Sequence, residues 1–430
     1  MADSMLTVAL VGCGGMGLRH LYGLAESRRA GLSSFDLIAV CDTRPEAAAR
    51  AAELAESLLG RRPAVYSTVD DLLGGPTGRL LDAVDLVTDV GAHHSLGVTV
   101  LQAGKHLLCE KPLGLTVRAC RLLVDAAAAA GTVLATAENY RRDPINRLVA
   151  ALLQSATIGR PFMALQESVG GGRAVTITPW RHQKDRGGIV IDMGVHYTDL
   201  WRYFLGPIER VSGRVALFEP LRYPTPVPPA MGVIRRETPD PEPVRATAED
   251  TAAGQITFAD GTLGHWLLSM AGHGEGYFAR RFYGSDGSIQ APADRTGRPI
   301  SYARATHAWG RDSSMEYRPL DDAAARSLVP AFCLDESTTR MFGASLVTSY
   351  DLPFEEVDRK LLALEIEDFG RAIRDGLSPE VDGVGGLDAV AAVYAFFESS
   401  ALGRAVTFEE VASGAVASYQ HDINAVLGLA

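Results

Sequence analysis

Residues 6–17 read Leu-Thr-Val-Ala-Leu-Val-Gly-Cys-Gly-Gly-Met-Gly, and the fold class follows from them. Leu6 to Val11 is a short apolar, partly β-branched run of the kind that forms a buried parallel strand. Residues 16 to 28 carry a helical pattern, so a glycine turn joins strand to helix. In that setting Gly12 permits the tight turn, Gly14 lets the backbone approach a pyrophosphate, and Gly17 lets the helix pack close to the strand. Cys13, Gly15 and Met16 complete the turn. Free N–H groups and the helix dipole favour an anion there. The run predicts a dinucleotide phosphate site.

A second apolar run, Phe35 to Cys41, ends in Asp42, at the spacing expected of a ribose-binding carboxylate. Its oxygens suit the two adenosine ribose hydroxyls and repel a 2′-phosphate, which favours NAD. Arg44, two residues on, can pair with that phosphate, so NADP stays open. Candidate strands at 6–11, 36–41, 64–66, 84–89, 106–109 and 132–136 alternate with candidate helices at 16–28, 45–59, 93–103 and 116–130. Such alternation calls for a parallel sheet covered on both faces. Its ligand crevice lies at the C-terminal strand edge, where Gly12, Asp42, Thr88 and Lys111 fall. The stretch Ala126 to Ala130 reads as a tightly packed helix end stopped by Gly131.

A second unit begins near Ala137, which divides the chain into 1–137 and 138–430. Pro144 to Leu153 reads as a helix, Phe162 to Val169 as a strand, and Asp192 to Phe204 as a helix ended by Gly206-Pro207. Ala253 to Phe258 and Leu263 to Met270, separated by Asp260-Gly261, suggest an antiparallel hairpin. Prolines crowd a loop at about 219–247 (Pro224, Pro226, Pro228, Pro229, Pro239, Pro241) with no apolar period, so this is a surface excursion or a lid. Amphipathic helices at about 354–375 and 386–402 follow.

Composition narrows the function. The 430 residues are 47% hydrophobic and 22% charged, with a formal net charge of −11. No basic stripe is present to neutralise phosphates, so a nucleic-acid partner is not expected. Cys13, Cys41, Cys109, Cys120 and Cys333 include no CxxC pair and no zinc spacing, which implies a reducing cytoplasm. The N-terminus lacks a basic n-region and no apolar stretch reaches a membrane span, so neither export nor a membrane is expected.

Two further motifs carry chemistry. Glu110-Lys111-Pro112 follows an apolar strand, so Lys111 projects into the crevice, where it can donate to a substrate oxygen and to the nicotinamide ribose. Proline fixes that turn, and Glu110 can hold the ribose or the lysine. Asp192 and His196 stand four apart on a helix and share one face. Gly187-Gly188 would allow a ligand to approach closely, and Gly194 would keep the helix surface low between the pair. A histidine suits removal of a proton from an alcohol, and Asp192 can stabilise the imidazolium. A His/Asp metal pair lacks a third ligand nearby, so no metal is expected.

These motifs together resemble the glucose-fructose oxidoreductase / inositol dehydrogenase / MocA (Gfo/Idh/MocA) family of NAD(P)-dependent oxidoreductases. The resemblance rests on the glycine turn, Ala103-Gly104-Lys105-His106 leading into Glu110-Lys111-Pro112, the run Gly187 to His196, and a closing helix ending Glu398-Ser399-Ser400. It implies an α/β protein: a Rossmann domain, then an α/β domain whose open, mostly antiparallel sheet commonly builds dimers or tetramers. It further implies that Lys111 and His196 are the acid/base residues, that Asp192 orients substrate with them, and that Lys111-Pro112 is cis. Trp180-Arg181 and Asn139 to Arg142 match stretches that face substrate. The chain departs from the pattern at Thr88-Asp89-Val90, followed by His93 and His94, where relatives often carry Thr-Pro-Asn or Thr-Pro-Pro. The loop beside the nicotinamide, with Thr88 and His93, is expected to differ in shape and to carry an added negative charge.

The expected activity is hydride transfer between nicotinamide and a secondary alcohol or ketone of a sugar, cyclitol or related polyol. Two alternatives use the same fold: a redox-neutral lyase or glycosidase that oxidises its sugar transiently, and a dinucleotide sensor without catalysis, which would have no use for an intact lysine, aspartate and histidine set.

Overall fold

The structure, a computed structural model, describes residues 5–225, 242–304 and 316–430. Six strands, β1 (Leu6–Val11), β2 (Phe35–Cys41), β3 (Ala64–Tyr66), β4 (Ala83–Leu86), β5 (His106–Glu110) and β6 (Leu134–Ala137), form one parallel sheet in the order β3-β2-β1-β4-β5-β6. This is the Rossmann order, and its reversal between β1 and β4 opens a crevice at the carboxyl ends of the strands. Val8 and Leu10 of β1 enter one core cluster while Ala9 and Val11 enter another. A strand buried on both faces reads as an unbroken apolar run, which is why β1 shows no polar alternation.

Helices α1 (Gly15–Arg29), α2 (Pro45–Leu59), α3 (Val69–Gly74), α4 (Val90–Gln102) and α5 (Val117–Ala130) connect these strands. Gly131, at φ 64°, ends α5 in the left-handed conformation, as its alanine-rich end suggested. Two differences from the sequence pattern have local causes. The short α3 was not foreseen; Thr68 caps it by accepting from the Asp71 N–H. Helix α4 begins at 90 rather than 93, because Asp89 Oδ1 accepts from the Gly91 N–H at 3.0 Å. The added negative charge is therefore a helix cap, and it also pairs with Arg186 at 3.3 Å.

Beyond β6 come α6 (Pro144–Gln154), β7 (Pro161–Gly171), α7 (Ile189–Leu205) and β8 (Ile208–Ala216). The two-residue strands β9 (Leu221–Arg222) and β10 (Val244–Arg245) pair antiparallel at the root of the proline-rich stretch. Pro226, Pro228, Pro229, Pro239 and Pro241 lie outside the described residues. Strands β11 (Thr251–Phe258), β12 (Leu263–Gly272), β13 (Tyr277–Gly284), β14 (Gly287–Ala291), β15 (Ser301–Arg304), β16 (Arg318–Pro319) and β17 (Val406–Thr407) join β7 and β8 in one sheet. Among the described residues this sheet has nine strands in the order β16-β15-β14-β13-β7-β12-β11-β8-β17, and all its pairs are antiparallel except β7 with β12. Its inner face buries Ala164, Trp266, Leu268 and Phe282. Trp201 of α7 stacks on Phe258 there, with ring centroids 5.6 Å apart.

Short helices α8 (Asp322–Leu328) and α9 (Glu336–Phe342) precede two long ones, α10 (Phe354–Asp375) and α11 (Gly383–Leu402). Helix α10 returns to the Rossmann half and packs on α1, so closely that a Cβ on Gly23 would come within 2.9 Å of Leu362 Cβ. Glu367 of α10 accepts from the Ser34 N–H at 3.0 Å, just ahead of β2. The chain closes with α12 (Phe408–Ala412) and α13 (His421–Val426). No described helix is long and apolar enough to cross a membrane.

Candidate active site

The glycine turn shows why each of its glycines is needed. Gly12 sits at φ 98°, and a Cβ there would lie 2.4 Å from Val87 O. A Cβ on Gly17 would lie 2.0 Å from Gly12 O, so Gly17 guards the turn itself. Gly14 differs: its Cβ would meet only the Arg44 guanidinium, at 3.8 Å. Gly14 is also the N-cap of α1, and no side chain caps that helix. The first-turn N–H groups, including those contributed by Gly15 and Met16, therefore lie beside open space, which fits a pyrophosphate. Asp42 braces this turn. Its Oδ2 accepts from the Cys13 N–H at 2.8 Å and its Oδ1 from the Arg44 N–H at 2.9 Å. The Arg44 side chain lies 3.6 Å from the same carboxylate. Cys13 turns its thiol inward, and burial together with the Asp42 charge pushes it up to about 12, so it is a packing residue.

Thr88 lies beside the turn: a Cβ on Gly12 would come 3.0 Å from its backbone nitrogen. Two residues expected against the cofactor are placed elsewhere. Glu110 is buried, and its carboxylate lies 3.4 Å from His20 Nε2 beneath α1. His20 is fully buried, with Asp85 2.8 Å from its other nitrogen, and draws both acids inward. His93 is buried too: Nδ1 lies 3.0 Å from Pro112 O and Nε2 3.2 Å from Thr88 O. It ties the two crevice loops together, and burial lowers its pKa.

Lys111 leaves β5 through a cis Lys111-Pro112 bond and reaches α7. Its Nζ donates to Asp192 O at 3.0 Å and to Asp192 Oδ1 at 3.2 Å. Arg181 Nε donates to Asp192 Oδ2 at 2.8 Å. Burial pushes the Asp192 carboxyl up, but Arg181 and Lys111 outweigh it and hold the group well below the usual carboxylate range. One turn on, His196 is buried with its Nδ1 against Glu138, 2.7 Å from Oε1 and 2.9 Å from Oε2. The Tyr140 ring lies flat on the imidazole, centroids 3.9 Å apart and planes 4° apart. The structure thus brings Lys111, Asp192, His196 and Arg181 together.

Trp180 covers Gly187, where a Cβ would come 2.8 Å from its ring, and the Arg181 guanidinium lies 4.3 Å over the indole. Gly187 therefore admits tryptophan rather than a ligand. Gly188, at φ 76°, opens α7 three residues ahead of the expected start. Gly194 does not lie between Asp192 and His196: two residues turn a helix by about 200°, and its Cβ would face Val393 and Trp266. Asn139 is buried at 4% exposure with its Oδ1 unpartnered among the described residues, so it suits a ligand donor. Glu138 escaped the sequence reading, and Tyr140 entered it only as part of the stretch Asn139 to Arg142. The one signal for Glu138 was an acid directly after an apolar strand at the crevice edge. Among the described residues no group of three or more His, Cys, Asp or Glu side chains is placed to hold a metal ion.

A Rossmann sheet with an open glycine turn and a lysine–aspartate–histidine cluster beside it defines an NAD-binding oxidoreductase. Residues 6–138 match the model of the oxidoreductase family with an NAD-binding Rossmann fold, and residues 146–290 match the GFO/IDH/MocA C-terminal domain. The chain belongs to the GFO/IDH/MocA oxidoreductase family. It is 29% identical over 204 residues to D-apiose dehydrogenase from Paraburkholderia graminis, an alignment spanning 47% of this chain and 51% of that protein. It is 27% identical over 293 residues to levoglucosan dehydrogenase from Pseudarthrobacter phenanthrenivorans, covering 66% of this chain and 73% of the relative. The solved structure of a levoglucosan dehydrogenase with NADH superimposes with a TM-score of 0.73 at 23% identity, over 94% of this chain and 99% of that one.

Proposed function

We propose that this protein oxidises a secondary alcohol of a sugar, cyclitol or related small polyol with NAD, or runs the reverse reduction. The observation that carries the reading is the Lys111–Asp192 contact, which joins the crevice edge of the Rossmann sheet to the helix bearing His196. The named activities of the apiose and levoglucosan dehydrogenases support it. Gly12, Gly14, Gly15, Met16, Gly17, Asp42, Arg44 and Thr88 would hold the dinucleotide, which when bound supplies the hydride acceptor or donor. Asp192 would fix the ammonium of Lys111 so that it donates to the substrate oxygen, while His196 exchanges the hydroxyl proton. Asn139, Trp180 and Arg181 would orient the polyol, and Trp180 would exclude water from it.

The test is NADH formation across a panel of sugars, inositols and sugar acids, for wild type, Lys111→Ala and His196→Ala. Activity in the wild type that both variants lose supports the reading. Full activity in both, or wild-type silence across the panel, would overturn it.

In this reading residues 1–137 bind the dinucleotide and 138–430 bind substrate and assemble the oligomer. The outer row of Met163, Leu165, Leu263 and Leu267 on the open sheet would join copies of the chain into a homodimer or homotetramer, which light scattering would show. Five free thiols suit a reducing cytoplasm.

A further inference from the structure

Glu138 is 2% exposed and stands on the first position beyond β6, where its carboxylate meets His196 with both oxygens. Oε1 also accepts from the Tyr140 N–H at 3.0 Å, so the acid is held by backbone as well as by the ring. Burial works against its charge, but His196, the Tyr140 N–H and the Lys111 charge together outweigh it, leaving its pKa lowered. A carboxylate only accepts hydrogen bonds, so Nδ1 must carry the proton in this pair. Nε2 is then the nitrogen that gains and loses a proton. The ring plane is fixed separately. Tyr140 stacks on it, Arg295 donates to the Tyr140 hydroxyl at 3.1 Å, and the same guanidinium lies 4.8 Å over the tyrosine ring.

Resting on the dehydrogenase reading above, we propose that Glu138 is a positioning residue that fixes His196 as the Nδ1–H tautomer and makes Nε2 the atom that exchanges the substrate's hydroxyl proton. On oxidation that proton passes to Nε2 and the O–H bonding pair becomes the second C–O bond as the carbon gives up its hydride to the dinucleotide. The imidazolium so formed faces the Glu138 carboxylate, which stabilises it without taking the proton. Lys111, committed to Asp192 at two oxygens, then acts as the hydrogen-bond donor and His196 as the base.

The test pairs a spectroscopic measurement with kinetics. Ring ¹⁵N spectra of the full-length protein, with His196 assigned by difference from His196→Asn, read the tautomer directly in the wild type, whatever its activity. In the neutral ring a proton on Nδ1 with Nε2 bare is expected; a neutral ring with its proton on Nε2 and Nδ1 bare would overturn the proposal. In Glu138→Ala, kcat is expected to fall by about 100-fold or more, the scale of lost acid/base catalysis, with Glu138→Asp recovering part of it. KM and NADH affinity are expected to stay within about threefold, because the Glu138 carboxylate is occupied by His196 and the Tyr140 N–H. A kcat within threefold of wild type in Glu138→Ala would sink the proposal. Wild-type silence on every polyol would remove the dehydrogenase reading, while the tautomer result would still decide whether Glu138 orders the ring.

Discussion

Lys111 and Asp192 lie 81 residues apart in sequence, yet the lysine ammonium sits 3.0 Å from the backbone oxygen of Asp192 and 3.2 Å from its carboxylate. The backbone contact fixes the start of α7 against the Rossmann sheet, and the carboxylate contact sets the charge between them. Arg181 shares the second oxygen, so one buried acid orients two cations.

Asp192→Asn keeps the size of the side chain and removes the charge that both cations need. kcat/KM is expected to fall by about 100-fold, the cost of misplacing a reacting group by an ångström. Steady-state kinetics with NADH absorbance would show it; a loss under threefold would contradict the shared-acid arrangement.

Alanine at two glycines separates folding from cofactor binding. Gly17→Ala drives a methyl against Gly12 O, so both melting temperature and NAD affinity should fall. Gly14→Ala meets open space, so the protein should melt near the wild-type temperature and yet lose NAD affinity by about tenfold or more, since the methyl occupies the pyrophosphate's approach. Calorimetric melting and an NADH fluorescence titration would distinguish the two; equal behaviour would refute the assignment.

His182 supplies a pH dependence. Its Nε2 accepts from the Thr176 N–H at 3.0 Å, and burial, followed by the charge of Arg222, lowers its pKa to about 4. An unfolded histidine titrates near 6.5, so between about 6.5 and 4 the unfolded state binds a proton that the folded state does not. Stability should therefore fall as pH drops through that window, by about 1.4 kcal/mol per unit for this group. His93 shares the direction. Urea unfolding at pH 7 and pH 5 should give a smaller loss for His182→Asn than for wild type; an unchanged loss would remove His182 as a cause.

The C-terminal segment braces the Trp180 face. Ile423 of α13 is 2% exposed and packs with Val90 and Leu115 beside Trp180, while Asn424 accepts from the Thr116 hydroxyl at 2.7 Å. Ile423→Ala should destabilise the protein by about 2–4 kcal/mol. KM should rise with kcat little changed, because Trp180 loosens while Lys111 and His196 stay in place. A KM equal to wild type would show that α13 supports stability alone.

The Rossmann half was legible because its signals are local: β1, β3 and α2 fall at the bounds read from the pattern, and Gly12 and Gly17 are needed for the reasons the motif gives. The errors share another cause. Glu110 and His93 are polar residues next to a crevice, and spacing alone cannot say that buried partners hold them: His20 for one, two carbonyl oxygens for the other. Gly187 was read as room for a ligand and Gly194 as a low surface between Asp192 and His196, whereas Trp180 and Val393 occupy the space their missing Cβ atoms leave.

The sequence by itself determined the strand–turn–helix cofactor site, the parallel sheet, and the pairing of Asp192 with His196 on one helix face. Each depends on residues within a turn or two of one another, where backbone sterics and periodicity act directly. Only the tertiary structure decided that Glu138 holds His196, that Tyr140 stacks on its ring, and that Arg181 shares Asp192 with Lys111. Those contacts join residues far apart in the chain, and long-range packing fixes which polar groups are left to satisfy one another.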